Sequence, residues 1–95
     1  MPAYLMADVQ VHDLESYAAY GAQVPATLEQ FGAKFLVRGG ASEVIEGEYQ
    51  PSRLVVIEFP DMETLKAWYN SEAYQGIVGV RWEAATASVI CVEGV

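Results

Sequence analysis

The chain has 95 residues, 53% of them hydrophobic and 12% aromatic, a composition for one packed domain over residues 1–95 and against disorder. Thirteen acidic residues against five basic ones give a net charge of −8, which argues against nucleic acid and anionic membranes as partners, since both need a basic surface. One cysteine, Cys91, excludes an internal disulfide.

The first residues carry neither a basic region nor a long apolar segment. No signal peptide or membrane span is expected, and a cytoplasmic setting follows. Ala3 to Val11 alternates as a strand does, with Ala3, Leu5, Ala7, Val9 and Val11 on one face and Tyr4, Met6, Asp8 and Gln10 on the other. Asp13 is placed to cap a helix, and Glu15 in its first turn suits the helix dipole. Leu14, Tyr17, Gly21, Val24, Leu28 and Phe31 then recur at helical spacing and predict one apolar helix face. Pro25 falls inside that pattern and is expected to kink or split the helix; Gly32 is its natural stop.

Lys34 to Arg38 predicts a second strand, broken by Gly39 and Gly40, with an extended run from Ser42 to Glu46 and a turn from Gly47 to Ser52. Arg53 to Phe59 is the third and most apolar strand. Asp61 caps a second helix, Asn70 and Ser71 interrupt it, and Ser71 caps a short continuation to about residue 80. Thr86 to Glu93 is the last strand, in which Cys91 is expected as a buried, inert thiol. The order β-α-β-β-α-β is that of a ferredoxin-like α+β sandwich: a four-stranded antiparallel sheet with helices on one face. Its other face, holding Tyr4 and Met6, would be bare in a monomer, so a homodimer with two sheets packed face to face is expected.

Few residues offer chemistry. His12 is the single histidine and belongs to no cluster with metal-ligand spacing, nor to a nucleophile triad. No glycine-rich phosphate motif is present. Neither a metal nor a cofactor is expected. Asp8 and Glu58 each interrupt an apolar run on strands that should be neighbours. Their ordinary role is as polar groups at a strand end or dimer interface, bonded to arginine or backbone donors. The functional alternative makes one of them an acid or base with a raised pKa in a half-buried cavity. Three arginines, Arg38, Arg53 and Arg81, suit carboxylate recognition. Ion pairing with Glu43, Glu58 or Glu83 is the expected role of Arg53, while both roles stay open for Arg38 and Arg81. Tyr17, Tyr20, Trp68, Tyr69, Tyr74 and Trp82 read first as core aromatics. Tyr69 and Tyr74 also flank the break at Asn70 and Ser71, where a cleft can open.

Several segments together resemble one family. Phe35 to Gly40, Glu46 to Glu48, Arg53 with Val55 to Pro60, Trp68 to Gln75, Arg81 and Val92 to Gly94 are similar to the DUF1330 family of small bacterial proteins, nearly end to end. The resemblance implies a dimeric α+β barrel; it implies no reaction. It marks Arg38, Gly39, Gly40, Glu58, Phe59, Tyr69, Ser71, Tyr74, Gln75 and Arg81. Glu72 and Ala73 depart from a Ser-Pro-Glu pattern common in the family, and Trp82 follows Arg81 where a smaller or more polar residue is usual; that indole is expected to narrow the pocket. The function to expect is a pocket for a small organic carboxylate, bound by Arg38 and Arg81 with Asp8 and Tyr74. Glu58 and Tyr69 would be the catalytic candidates for cofactor-independent acid/base or oxygenase chemistry. The alternative is a non-catalytic dimerisation or ligand-sensing module, with Asp8, Glu58 and the arginines in an interfacial ion network.

Overall fold

A computed structural model describes all of residues 1–95. The elements are β1 (Ala3–Val11), α1 (Leu14–Glu29), β2 (Lys34–Arg38), β3 (Leu54–Phe59), α2 (Met62–Tyr69), α3 (Glu72–Ala84) and β4 (Ala85–Glu93). The strands form one antiparallel sheet in the order β2-β3-β1-β4, and the helices lie on one face of it. This is the α+β, ferredoxin-like arrangement that the element order implies.

Each helix begins where a side-chain oxygen can accept an otherwise unpaired backbone N–H. Asp13 accepts from Ser16 N, Asp61 from Thr64 N and Ser71 from Tyr74 N. The core forms between the helices and the inward face of the sheet. Ala3, Leu5, Ala7 and Val9 of β1 and Val55, Ile57 and Phe59 of β3 are buried, as strict alternation requires. Above them Trp68 and Phe59 pack at 5.4 Å between ring centroids, and Trp68 and Tyr74 at 4.0 Å. The indole N–H of Trp68 donates to Thr27 Oγ1 at 3.0 Å, and Thr27 in turn donates to Val24 O at 2.7 Å. A buried polar pair is thereby satisfied inside an apolar core.

Five sequence expectations need correction. First, α1 runs unbroken through Pro25. Second, its buried face is Tyr20, Val24, Thr27 and Leu28, whereas Leu14, the first residue after the cap, is 78% exposed. Third, Ser42 to Glu46 joins no strand; the segment between β2 and β3 is irregular and exposed. Fourth, the helix capped by Ser71 continues to Ala84, so it is a full third helix. Fifth, Cys91 is exposed: β4 is an edge strand, and only its first residue is buried.

The pairing of β2 with β3 contains a bulge. Phe35 lies opposite Ile57, but Val37 lies opposite Val56 and Arg38 opposite Val55. Leu36 is the extra residue. Unbroken alternation from Phe35 would turn Arg38 to the outer face; the bulge returns it to the helix-covered face.

Candidate functional site

Between the inward face of the sheet and the three helices lies a cavity of about 60 Å³. Its floor is apolar, formed by Leu5, Ala7 and Val9 of β1 with Val55 and Ile57 of β3. Its polar lining is unusual for so acidic a chain. The five basic residues are Lys34, Arg38, Arg53, Lys66 and Arg81, and all three arginines line this one cavity. No aspartate, glutamate or histidine does.

Arg81, on α3, is 8% exposed. It forms no ion pair, for the one salt bridge in the protein joins Lys34 to Glu58. Burial opposes its charge, yet the neighbouring Tyr74 and Tyr20 hydroxyls hold its pKa above the ordinary arginine value. Arg81 is therefore a cation at any working pH. The hydroxyls of Tyr20 and Tyr74 lie 2.7 Å apart and bond to each other. Burial, then Tyr74, push the Tyr20 phenol far up, against the pull of Arg81. Tyr20 therefore keeps its proton, and two hydroxyls bonded to each other have one further donor to offer another acceptor.

Arg38 is exposed at the opening. Its placement comes from α1. Pro25 has no N–H, so the carbonyl four residues earlier, that of Gly21, has no intrahelical donor. Arg38 Nη2 donates to that carbonyl at 2.6 Å. A Cβ at Gly21 would stand in ordinary contact with Arg38 Nη2, at 3.6 Å, so the arginine packs directly on this turn of the helix. The guanidinium lies 4.3 Å from the centroid of Phe35. Arg53 is half-buried, 5.6 Å from the Tyr17 centroid, and its buried Nε donates to nothing. Its guanidinium packs against Gly39, whose φ of +73° and lack of a Cβ both suit the close approach. The cation–π contacts are each worth about 0.5–1 kcal/mol. Desolvating an arginine costs several kcal/mol, so those contacts do not replace an anion.

The structure thus brings Arg38, Arg81, Tyr69 and Tyr74 to one cavity, and leaves Asp8 and Glu58 outside it. Both carboxylates belong to the outer face of the sheet. Glu58 pairs laterally with Lys34 at 3.7 Å. Asp8 accepts from the Tyr49 hydroxyl and from the backbone N–H groups of Ser52 and Arg53. The two are not neighbours: Glu58 lies opposite Tyr4 and Asp8 opposite Leu54, at the two ends of the same ladder. Trp82 does not narrow the cavity, since it is 59% exposed and not part of the lining. Arg53 forms no ion pair and joins the lining, as do Tyr17 and Tyr20. The sequence carried one overlooked signal for this site, a proline four residues after a glycine in the middle of a helix.

A second hollow of about 220 Å³ lies along β4 and α2, bordered by Leu65, Lys66, Tyr69 and Cys91. It is shallower and has one cation.

Fold and site define a ferredoxin-like α+β protein with an arginine-lined cavity under its helices. The chain belongs to the DUF1330 family, a domain of unknown function, whose pattern it matches over residues 2–95. No curated protein of known function matches it. It is similar in fold to a protein of unknown function from Rhodopseudomonas palustris, with 19% identity and a TM-score of 0.79 over 99% of this chain and 82% of that one. A dimeric ferredoxin-like protein of unknown function from Jannaschia sp. CCS1 is 11% identical, with a TM-score of 0.75 over 99% and 100% of the two chains. SnoaB, a cofactor-independent oxygenase from Streptomyces nogalater, is 9% identical, with a TM-score of 0.71 over 99% and 93%. At these identities the likeness shows the fold alone.

Proposed function

We propose that this protein binds a small organic carboxylate in the cavity beneath its helices, as a homodimer carrying one such site per subunit. The observation behind this is the convergence of three arginines on a cavity with no acidic lining, in a chain of net charge −8. A guanidinium held in a largely buried site without a counter-charge opposes folding. A carboxylate ligand supplies the missing charge and matches the guanidinium fork with two parallel hydrogen bonds. The spare proton of the Tyr20–Tyr74 pair gives it a further donor.

The same lining weighs against general acid/base catalysis by a carboxylate. Glu58 lies on the far side of the sheet, so proton transfer within the cavity falls to tyrosine hydroxyls alone. If the site does chemistry, stabilising an anion that the substrate itself forms suits it better than proton abstraction. That is compatible with cofactor-independent oxygenation, the activity of the distant neighbour SnoaB. A ligand-sensing role needs only the binding step.

The test is titration calorimetry with small carboxylates on wild type and Arg81→Met, beside thermal unfolding of both ligand-free proteins. The expected result is binding that falls at least ~10-fold in the variant, about 1.4 kcal/mol, with an unfolding midpoint equal to or above that of wild type. A variant that binds normally, or one that loses stability together with binding, would make Arg81 a structural residue and end the proposal.

A further inference from the structure

We infer that the ligand of this cavity is a short dicarboxylate, gripped at one end by Arg81 and at the other by Arg38 and Arg53. The inference rests on the carboxylate-binding reading above and adds to it the number of the ligand's charges.

The cations form two groups. Arg81 is the deep one, more than nine-tenths buried beside the Tyr20 and Tyr74 hydroxyls. Arg38 and Arg53 stand at the opening, one exposed and one half-buried, joined through Gly39, which follows Arg38 in the chain and packs on the Arg53 guanidinium. The line of neighbours between the groups runs through two aromatic rings. Arg53 lies 5.6 Å from the Tyr17 centroid, and Tyr17 lies 5.7 Å from Tyr20.

Volume separates the candidate ligands. A dry cavity of about 150 Å³ accepts benzene, with its six heavy atoms. The 60 Å³ here corresponds to roughly two or three heavy atoms on that scale, enough for one carboxylate against Arg81. Whatever answers the other two arginines must extend to the opening. A monocarboxylate against Arg81 leaves the half-buried Arg53, whose Nε has no partner, without an anion. Phosphate can accept from several guanidiniums, but only where they converge on its one centre, so it does not reach from the deep group to the opening. A dicarboxylate of three or four carbons places a planar, bidentate acceptor at each end.

Calorimetry at neutral pH and one fixed ionic strength, with acetate, propionate, malonate, succinate and inorganic phosphate, tests this on wild type, Arg38→Met and Lys34→Met. Arg38 is exposed, so its loss should leave the fold intact. Lys34 lies on the opposite face and controls for the change in net charge. Malonate or succinate should bind at least ~10-fold more tightly than the monocarboxylates and phosphate, the worth of one added charge-assisted hydrogen bond. Arg38→Met should shrink that preference several-fold, and Lys34→Met should leave it as in wild type. Equal affinity for mono- and dicarboxylates overturns the dicarboxylate while leaving carboxylate binding in place. Tighter binding of phosphate, or an equal effect of Lys34→Met, overturns it too. Absence of binding by every carboxylate overturns both readings.

Discussion

Asp8 carries the most hydrogen bonds of any carboxylate in the protein, and all of them hold one segment. It accepts from Tyr49, Ser52 and Arg53, fastening the irregular chain after β2 to the start of β3. The Tyr49 hydroxyl above all lowers its pKa below the usual 3.8, against desolvation, which comes next, and with smaller help from the Ser52 and Arg53 N–H groups. The consequence for stability has a definite sign. A depressed carboxylate pKa stabilises the fold above the unfolded value, and that contribution is lost as pH falls through the folded one. The amides of Ser52 and Arg53 should therefore be protected from hydrogen exchange at neutral pH and lose protection below about pH 3.8. In Asp8→Asn they should exchange several-fold faster already at neutral pH, and more acid should add little. Exchange measured amide by amide checks this; equal protection in both proteins at neutral pH would remove Asp8 from the role. The same segment positions Arg53, so the carboxylate on the outer face reaches the cavity through the backbone. A charge inside an apolar strand is visible in sequence as an anomaly. Which face it serves depends on register and on a loop partner forty residues away, neither of which local pattern specifies.

At the scale of elements, two irregularities place Arg38. The bulge at Leu36 turns its side chain inward, and the Pro25 gap in α1 frees the Gly21 carbonyl that holds it. Each costs regular hydrogen bonding; an interior proline costs a helix about 3 kcal/mol or more. Pro25→Ala restores the N–H that competes for the Gly21 carbonyl. It should raise the unfolding midpoint, by roughly 4–8 °C per kcal/mol regained in a domain of this size, and weaken carboxylate binding several-fold as Arg38 loses its anchor. Thermal unfolding and calorimetry on the same variant check the pair of effects. Lower stability, or unchanged binding, would show that the proline serves only the helix. The regular parts of these elements were legible: alternation placed β1 within its observed bounds, and Asp13, Asp61 and Ser71 announced three helix starts. The irregular parts were not. A proline in a helical pattern reads as a break, because the donor it removes is local while the arginine that takes the carbonyl comes from another element. A bulge leaves no trace in the alternation of so short a strand, and Arg38 stood out by residue type and by the family resemblance, not by any sign of the face it serves.

The whole molecule is a slab, 35 × 35 × 16 Å, with its two broad faces given to different tasks. The helical face encloses the cavity. The outer face of the sheet is apolar at its centre, where Met6 lies between Val56 on one side and Ile90 on the other. Met6, Val37, Ile90 and Val92 are 38%, 37%, 60% and 44% exposed. The charged groups of this face, Asp8 and the Lys34–Glu58 pair, lie towards its edges. A stable interface of standard size buries about 800 Å² per partner, and a face of these dimensions offers that. An apolar centre with a polar rim is also the anatomy of such interfaces. A second copy packed sheet to sheet would leave both cavities open on the outside of the dimer. Wild type should therefore sediment as a dimer at micromolar concentration. Met6→Glu should shift it to monomer, because the dimer would then bury two unpaired carboxylates at several kcal/mol each, weakening association by more than ~100-fold. Met6 is distant from the arginines, so the monomeric variant should keep its carboxylate affinity. That outcome separates the interface from the site. A monomeric wild type would remove the dimer, and loss of binding on dissociation would mean that the cavity is completed by the partner subunit.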